Sequence, residues 1–391
     1  MDKQTFPAAR MHDIQPFHVM ALLAEARQRE AAGQDIIHLE VGEPDFPTPA
    51  PIVEAGIRAL QQGQTKYTAA RGLPALREAI AGYYANRYGV TIAPERILIT
   101  PGASGALQLV LGAMLNPHDE VLMTDPGYPC NRHFVRLFEG KATGIPVGAD
   151  TAYQLTPAHL AEYWTPATRA VLLATPANPT GTVLSLPELG AIYAATRARG
   201  GELIVDEIYQ GLTYGVPDVT ALSINAENIW VINSFSKYFG MTGWRLGWVV
   251  APEYAVETLD RLAQNVFLAA PTPAQYAALA AFTPEALAIM EAQRQELQQR
   301  RDFLLPALRE LGFSVQAEPQ GAFYIYANAE KFGKDAQILC RDVLDKTGVT
   351  FTPGIDFGTH QADTHVRFAY TCGVSRLEQA VERLREYFSK Y

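Results

Sequence analysis

Six short apolar runs, at 96–99, 120–123, 170–173, 203–205, 230–232 and 246–250, punctuate the middle of this chain. They are rich in β-branched residues and apolar on both faces. That suits strands covered by helices on each side, and hence a mostly parallel sheet. Around them apolar residues recur at helical spacing: Leu73, Leu76, Ile80 and Tyr83, then Ala103, Leu107, Val110 and Met114. A sheet of this kind presents its functional residues just beyond the carboxyl ends of its strands.

At 391 residues the chain exceeds what one hydrophobic core organises, so two domains are expected. After about residue 285 the pattern changes. A long polar helix over about 285–311 leads to hairpin-like strands around Phe313 and at 323–326, then to helices near 335–346 and 375–389. The last is expected to open on a capping box, Ser375 with Glu378, and to carry Leu377, Val381, Leu384 and Phe388 on one face. These elements read as a smaller α+β domain.

Composition narrows the function. Hydrophobic residues make up 48% and charged residues 19%, the balance of a soluble globular enzyme. A net charge of -9 without any Lys/Arg cluster argues against nucleic acid. Cys130, Cys340 and Cys372 are scattered, which points to a reducing compartment and not to a disulfide framework. The histidines show no metal-ligand spacing, so no metal is expected. Residues 1–7 lack the apolar core of a signal peptide, and the most apolar region, 266–290, is interrupted by Pro271, Pro273 and Pro284. The expectation is a cytoplasmic protein.

The chemistry concentrates just past the run 230–232. Ser234, Ser236, Lys237, Gly240, Gly243, Arg245 and Gly247 share one stretch, with the arginine eight positions after the lysine. A lysine among small hydroxyl residues suits an amine that bonds to an aldehyde while its neighbours hold a phosphate. The turn 101–107, from Pro101 through Gly102, Ala103 and Ser104, opens a helix with free N–H groups, a second phosphate or nucleotide site. No Gly-Lys-Ser/Thr follows, so a nucleotide P-loop does not fit. Asp206 ends the run 203–205 and Tyr209 follows. A buried carboxylate there calls for a cation; otherwise Asp206 and Glu207 cap the next turn. Asn178-Pro179-Thr180-Gly181 is a turn former after 170–174, and Tyr128 lies in a Pro-rich turn after 120–123. Arg367 sits inside a late apolar run, 366–370, where its partner is a bidentate carboxylate or a structural salt bridge.

This set, in this order, resembles the class I/II aminotransferases of fold type I, enzymes dependent on pyridoxal 5′-phosphate. The likeness extends from about Pro16 to the C-terminus. It implies an α/β fold, with a mostly parallel seven-stranded sheet in a large domain over 47–284. A small α+β domain would occupy 285–391, and an N-terminal arm or lid over 1–46 would pack with it. Lys237 would bond the cofactor's aldehyde carbon and then act as general base and acid. Asp206 would meet the pyridine nitrogen, Tyr209 and Asn178 the phenolate oxygen, and Tyr128 the ring face. Gly102, Ala103, Ser104, Ser234, Ser236 and Arg245 would surround the phosphate, joined across a dimer interface by Tyr67. Arg367, Asn178 and Gly42 would meet the substrate, and the Asn178–Pro179 bond would be cis.

The implied activity is amino transfer between an L-amino acid and a 2-oxo acid by a ping-pong mechanism, in a homodimer with shared active sites. A β-eliminating C–S lyase of the same fold shares nearly all these residues. A cofactor-sensing transcription regulator does not fit, because only about 40 residues precede Gly42, too few for a winged helix and linker. Arg71 is either an exposed loop arginine or, across the dimer, a partner for a substrate's distal carboxylate. Met11 to Pro16 with the amphipathic stretch 17–30 resembles the mobile lid helix of bacterial aspartate and alanine aminotransferases. Nothing in that stretch identifies the amino donor.

Overall fold

The computed structural model describes residues 6–16, 18–224 and 227–389. A first helix, His18–Ala31, precedes the two-residue strand β1 (Ile37–His38). Seven further strands form the central sheet: β2 (Ile97–Thr100), β3 (Glu120–Asp125), β4 (Lys141–Pro146), β5 (Thr168–Ala174), β6 (Glu202–Asp206), β7 (Ile229–Ser234) and β8 (Gly247–Val250). Their spatial order is β2-β8-β7-β6-β5-β3-β4. Neighbours from β7 across to β4 run parallel, and β8 runs antiparallel to both β2 and β7.

Side chains of successive strand residues leave opposite faces of a sheet. Leu203, Val205, Val171 and Val231 accordingly join one core, and Ile204, Leu172, Trp230 and Ile232 the other. The second core is covered by the helix Gly102–Met114 through Leu107, Val110 and Leu111. Each fully buried aliphatic side chain contributes roughly 1.5–3 kcal/mol, so Ile204→Ala should cost roughly 2–5 kcal/mol once the cavity it leaves is included.

The six apolar runs all become strands of this sheet, but β4 was not anticipated. It reads Lys-Ala-Thr-Gly-Ile-Pro, and only Ile145 is buried. It lies at the sheet edge with one neighbour, β3, where polar residues and a proline are tolerated and the apolar signal is correspondingly weak.

Four short strands complete the fold: β9 (Tyr324–Asn328), β10 (Val349–Thr350), β11 (Thr352–Pro353) and β12 (His365–Ala369). β12 is flanked by β9 and β11, antiparallel to both, and β10 pairs with β1 in parallel. Phe313 belongs to no strand; the adjacent Ser314 makes one bridge to Asn328, so the expected hairpin is replaced by pairing of β9 with β12. The long helix spans Pro284–Leu311 and ends at Gly312 with φ 107°, a conformation glycine adopts without a Cβ penalty.

The last helix begins at Val374, because Arg376 and Leu377 both donate their N–H to the carbonyl of Gly373. Ser375 and Glu378 thus lie inside the helix and form no capping box. Residues 35–45 are stitched to the C-terminal third. The Leu39 carbonyl accepts from Ala369 N at 2.6 Å, Arg300 meets Asp45 at 2.7 Å, and Asp35 pairs with Arg376 and Arg383. Among the described residues no helix is long and apolar enough to cross a membrane.

Candidate active site

Strand register decides where the site forms. Gly247 at the start of β8 is level with Thr100 at the end of β2 and with Ser234 at the end of β7. The loops 101–105 and 235–246 therefore meet at one level of the sheet. A Cβ on Gly247 would lie 2.7 Å from the Gly102 carbonyl carbon and 2.8 Å from Ala103 N, so only glycine permits this approach. Gly102 has φ +70°, and a Cβ there would lie 2.7 Å from Nη2 of Arg245. The guanidinium thus packs on a bare backbone at the N-terminus of the helix Gly102–Met114, where unpaired N–H groups and the helix dipole favour an anion. Ala103 and Ser104, in the first turn, line the same cavity as Arg245.

That cavity has a volume of about 410 Å³ and opens along the carboxyl ends of β5, β6 and β7. Lys237, just past β7, reaches into it and donates from Nζ to the carbonyl of Gly42 at 2.7 Å. Burial holds the lysine down to about 8, helped by the charges of Arg367 and Arg245 and opposed by Glu43 and Asp206. About a tenth of the amine is therefore neutral and nucleophilic at pH 7, far more than for an ordinary lysine. Asp206, the last residue of β6, is buried, and burial pushes it up to about 6 against the N–H of Ile208 and the charge of Lys237. Asp206 accepts from Ile208 N at 3.0 Å and also lines the cavity, so it caps its own turn and faces the site at once. Glu207 points elsewhere, accepting from Thr220 and from Ala221 N.

Arg367, from β12, is buried at 3% exposure yet enters no ion pair among the described residues. Its Nη1 donates to Oδ1 of Asn178 at 3.0 Å, and its Nη2 to the carbonyl of Glu40 at 2.7 Å and to Oγ1 of Thr352 at 3.3 Å. Nε is buried and has no partner. The guanidinium lies over Tyr324, 4.3 Å from its ring centroid, and 4.8 Å from that of Phe357. A buried cation whose partners are all neutral is completed by an anion, and its flat fork matches a carboxylate. The Asn178–Pro179 bond is cis.

Most of the expected site residues converge. Gly42, Ala103, Ser104, Tyr128, Asn178, Asp206, Tyr209, Ser236, Lys237, Arg245 and Arg367 line one cavity. Ser234 stands one step behind, its hydroxyl donating to the carbonyl of Leu246 at 3.1 Å and lying 2.9 Å from Ser236 Oγ, which can donate to it. Gly102 lies beneath Arg245. Tyr67 is 82% exposed and lies outside the cavity of its own chain. Arg71 pairs with Asp260 at 3.4 Å and does not reach the cavity of its own chain. The first helix is His18–Ala31, with Phe17 outside the described residues, and Val19, Met20, Leu23 and Arg27 close one wall.

Among the lining residues that were not anticipated, two stand out. Tyr324 places its hydroxyl 2.9 Å from that of Tyr209, and Glu40 lies fully buried beside Arg367. Phe323-Tyr324-Ile325-Tyr326 reads as a strand, and nothing in that string tells which aromatic faces the site. The one available signal for Glu40 was a carboxylate closing the short stretch Ile36-Ile37-His38-Leu39.

An aldehyde phosphate on a pyridine ring fits these residues. Arg245 and a helix N-terminus offer a phosphate site, Lys237 an amine with a depressed pKa, and Asp206 a buried carboxylate with no ion-pair partner among the described residues.

Residues 34–384 match the family model described as aminotransferase class I and II. A valine–pyruvate aminotransferase of Mycobacterium tuberculosis is 39% identical over 95% of this chain and 96% of its own length. An aspartate aminotransferase of Geobacillus stearothermophilus is 34% identical over 97% and 98%. Among solved structures, an aminotransferase from Mycobacterium tuberculosis superposes with a TM-score of 0.96 at 37% identity, covering 99% of this chain and all of that one. Aspartate aminotransferase from Thermus thermophilus with maleate gives 0.92 at 31%, covering 98% and 100%.

Proposed function

The chain belongs to the class I and II aminotransferases, and from that premise we propose how its residues divide the work of amino transfer. Pyridoxal 5′-phosphate, when bound, supplies an aldehyde carbon that exchanges amino groups and a ring that draws electrons from the substrate's Cα. Arg245, the hydroxyls of Ser104 and Ser236 and the N–H groups at Gly102 to Ser104 hold the phosphate, with Ser234 fixing Ser236 from behind. Asp206 would keep a proton on the ring nitrogen, an ion pair that would also relieve the cost of its own burial. Tyr209 and the amide of Asn178 would bind the phenolate oxygen, and Tyr128 would orient the ring.

Lys237 would hold the cofactor through its aldehyde carbon. Its Nζ, at the same place in the cavity, would serve as the base that takes the substrate's Cα proton and the acid that returns it. Arg367 receives the α-carboxylate through its unpartnered Nε and its terminal nitrogens, with Asn178 setting the angle and Gly42 leaving room above. Val19, Met20 and Leu23 exclude water from the wall where the substrate's side chain lies.

One observation carries the reading: a pKa-depressed lysine, a buried carboxylate and a buried arginine without a counter-charge share one cavity with a phosphate cradle. The test mixes holo-protein with a panel of L-amino acids without acceptor and follows the cofactor's absorption. A stable conversion to the amine form, reversed by a 2-oxo acid, is expected and ranks the donors. Pyruvate and ammonia, with the original band returning by itself, would overturn amino transfer in favour of elimination.

The reading extends to organisation. We infer a homodimer in which Tyr67 of each chain completes the other's phosphate site, supported by its 82% exposure. The stitching of residues 35–45 to the C-terminal third supports an arm over 1–46 packed with a small domain over 285–391, beside a large domain over 47–284. The free thiols of Cys130, Cys340 and Cys372 suit the cytoplasm, and the activities of its relatives suit amino-acid biosynthesis.

A further inference from the structure

Glu40 is the least expected residue beside Arg367. Its side chain is fully buried, and among the described residues its carboxylate pairs with His38, whose Nδ1 lies 2.7 Å from Oε1. The other carboxylate oxygen, Oε2, accepts from Thr350 Oγ1. A buried carboxylate is costly, and aliphatic residues would fill that space at lower cost.

The surroundings show what the carboxylate holds. Leu39 N donates to the carbonyl of Thr350 at 3.0 Å, and the carbonyl of Leu39 accepts from Ala369 N in β12. Residues 39 and 40 are thus clamped between β10 and β12, the strand that carries Arg367. The carbonyl of Glu40 is one of the three acceptors of the Arg367 guanidinium. Another is Thr352 Oγ1, two residues beyond Thr350. The Glu40 side chain and main chain therefore act on the same pair of elements: the first grips the segment that supplies Thr352, and the second grips Arg367. His38 also reaches Glu30 of the first helix, with Nε2 and Oε1 3.2 Å apart, so that helix is tied to the same clamp.

We propose that Glu40 is a positioning residue for the substrate's α-carboxylate, its side chain fixing residues 39–40 against Thr350 so that its carbonyl aims the Arg367 guanidinium. The inference rests on Arg367 being that carboxylate's partner. Every amino acid and every 2-oxo acid carries the group, so loosening Glu40 weakens all substrates alike and spares proton transfer at Cα by Lys237. KM rises while kcat holds.

The experiment uses holoenzyme and two amines: 2-methylalanine, which has a carboxylate but no Cα hydrogen to lose, and isopropylamine, the same amine without the carboxylate. Binding is read from the cofactor's absorption. Glu40→Ala should weaken 2-methylalanine about tenfold, the order of one loosened charge-assisted hydrogen bond, and isopropylamine by less than about twofold. Glu40→Gln keeps hydrogen-bonding groups toward Thr350 and should stay within about threefold of wild type. If Glu40→Ala fails to fold, Thr350→Val breaks the same grip, and a selective loss of at least about threefold is expected.

Arg367→Met separates the two levels of the argument. If it leaves 2-methylalanine unaffected, the assignment of Arg367 fails and the inference with it. If it weakens 2-methylalanine while the Glu40 and Thr350 variants do not, or while they weaken both amines equally, the role of Glu40 alone is overturned.

Discussion

The hydroxyls of Tyr209 and Tyr324 stand 2.9 Å apart, joining the turn after β6 to the start of β9 across 115 positions of sequence. Their rings meet edge to face with centroids 5.7 Å apart. Gly42 lies under the same hydroxyl, since a Cβ there would come within 2.6 Å of the Tyr324 oxygen. Tyr209 is therefore aimed by a residue of the C-terminal third. Tyr324→Phe should lower kcat by roughly 3- to 10-fold, the worth of one neutral hydrogen bond. Tyr209→Phe should lower it further and should also raise the pKa of the bound cofactor's absorbance change, which spectrophotometric titration reads. Unchanged kcat in Tyr324→Phe would leave Tyr324 without an aiming role.

Lys237 sets a pH dependence with a definite sign. In the cofactor-free chain burial holds it at about 8, below the ordinary 10.5. Only the neutral amine attacks an aldehyde, so capture of pyridoxal 5′-phosphate should accelerate about tenfold per pH unit below 8 and level off above it. The unfolded chain binds this proton more tightly, so below about 8 the folded cofactor-free protein bears the full cost of a buried charge, relieved as pH rises toward 10.5. Lys237→Met without cofactor should therefore melt above cofactor-free wild type, with a gap that narrows between those two pH values. Lys237→Met with cofactor present should show no turnover.

Gly102 carries a double demand, from its φ of +70° and from the guanidinium packed on it. Gly102→Ala should cost about 1–2 kcal/mol in stability from the left-handed backbone alone. Displacing Arg245 should weaken cofactor retention by about tenfold, measured as pyridoxal 5′-phosphate lost on dilution.

The proposed sharing of active sites makes a prediction about mixtures. Lys237→Ala and Tyr67→Ala chains, each impaired alone, place both lesions in one site of a hybrid dimer and leave the other site whole. Unfolding and refolding the two together in equal amounts should restore about a quarter of wild-type activity, since half the dimers are hybrid and each has one intact site. Activity no greater than the mean of the two parents would remove Tyr67 from its partner's site.

Much of this was readable in the chain because the groups are local. Ser236, Lys237 and Arg245 share one loop, and Asp206 and Asn178 follow strands whose apolar runs announce themselves. What escaped lies where one-dimensional patterns lose contrast. β4 is a polar edge strand with one buried residue. Tyr324 is one aromatic among several in an apolar string. The capping box at Ser375 and Glu378 had the right letters, but Gly373 had already supplied the carbonyl that starts the helix. Glu40 needed the three-dimensional pairing of β1 with β10 before its neighbours were known.

The level meeting of Thr100, Ser234 and Gly247 has a consequence for synthesis on the ribosome. A chain grown only as far as β8 already contains the proposed phosphate cradle, Asp206 and Lys237. It contains neither Tyr324 nor Arg367. Domains fold in order of emergence, so on the proposed roles the groups that would hold the cofactor emerge before the one that would tell an amino acid from a plain amine. That one arrives with β12.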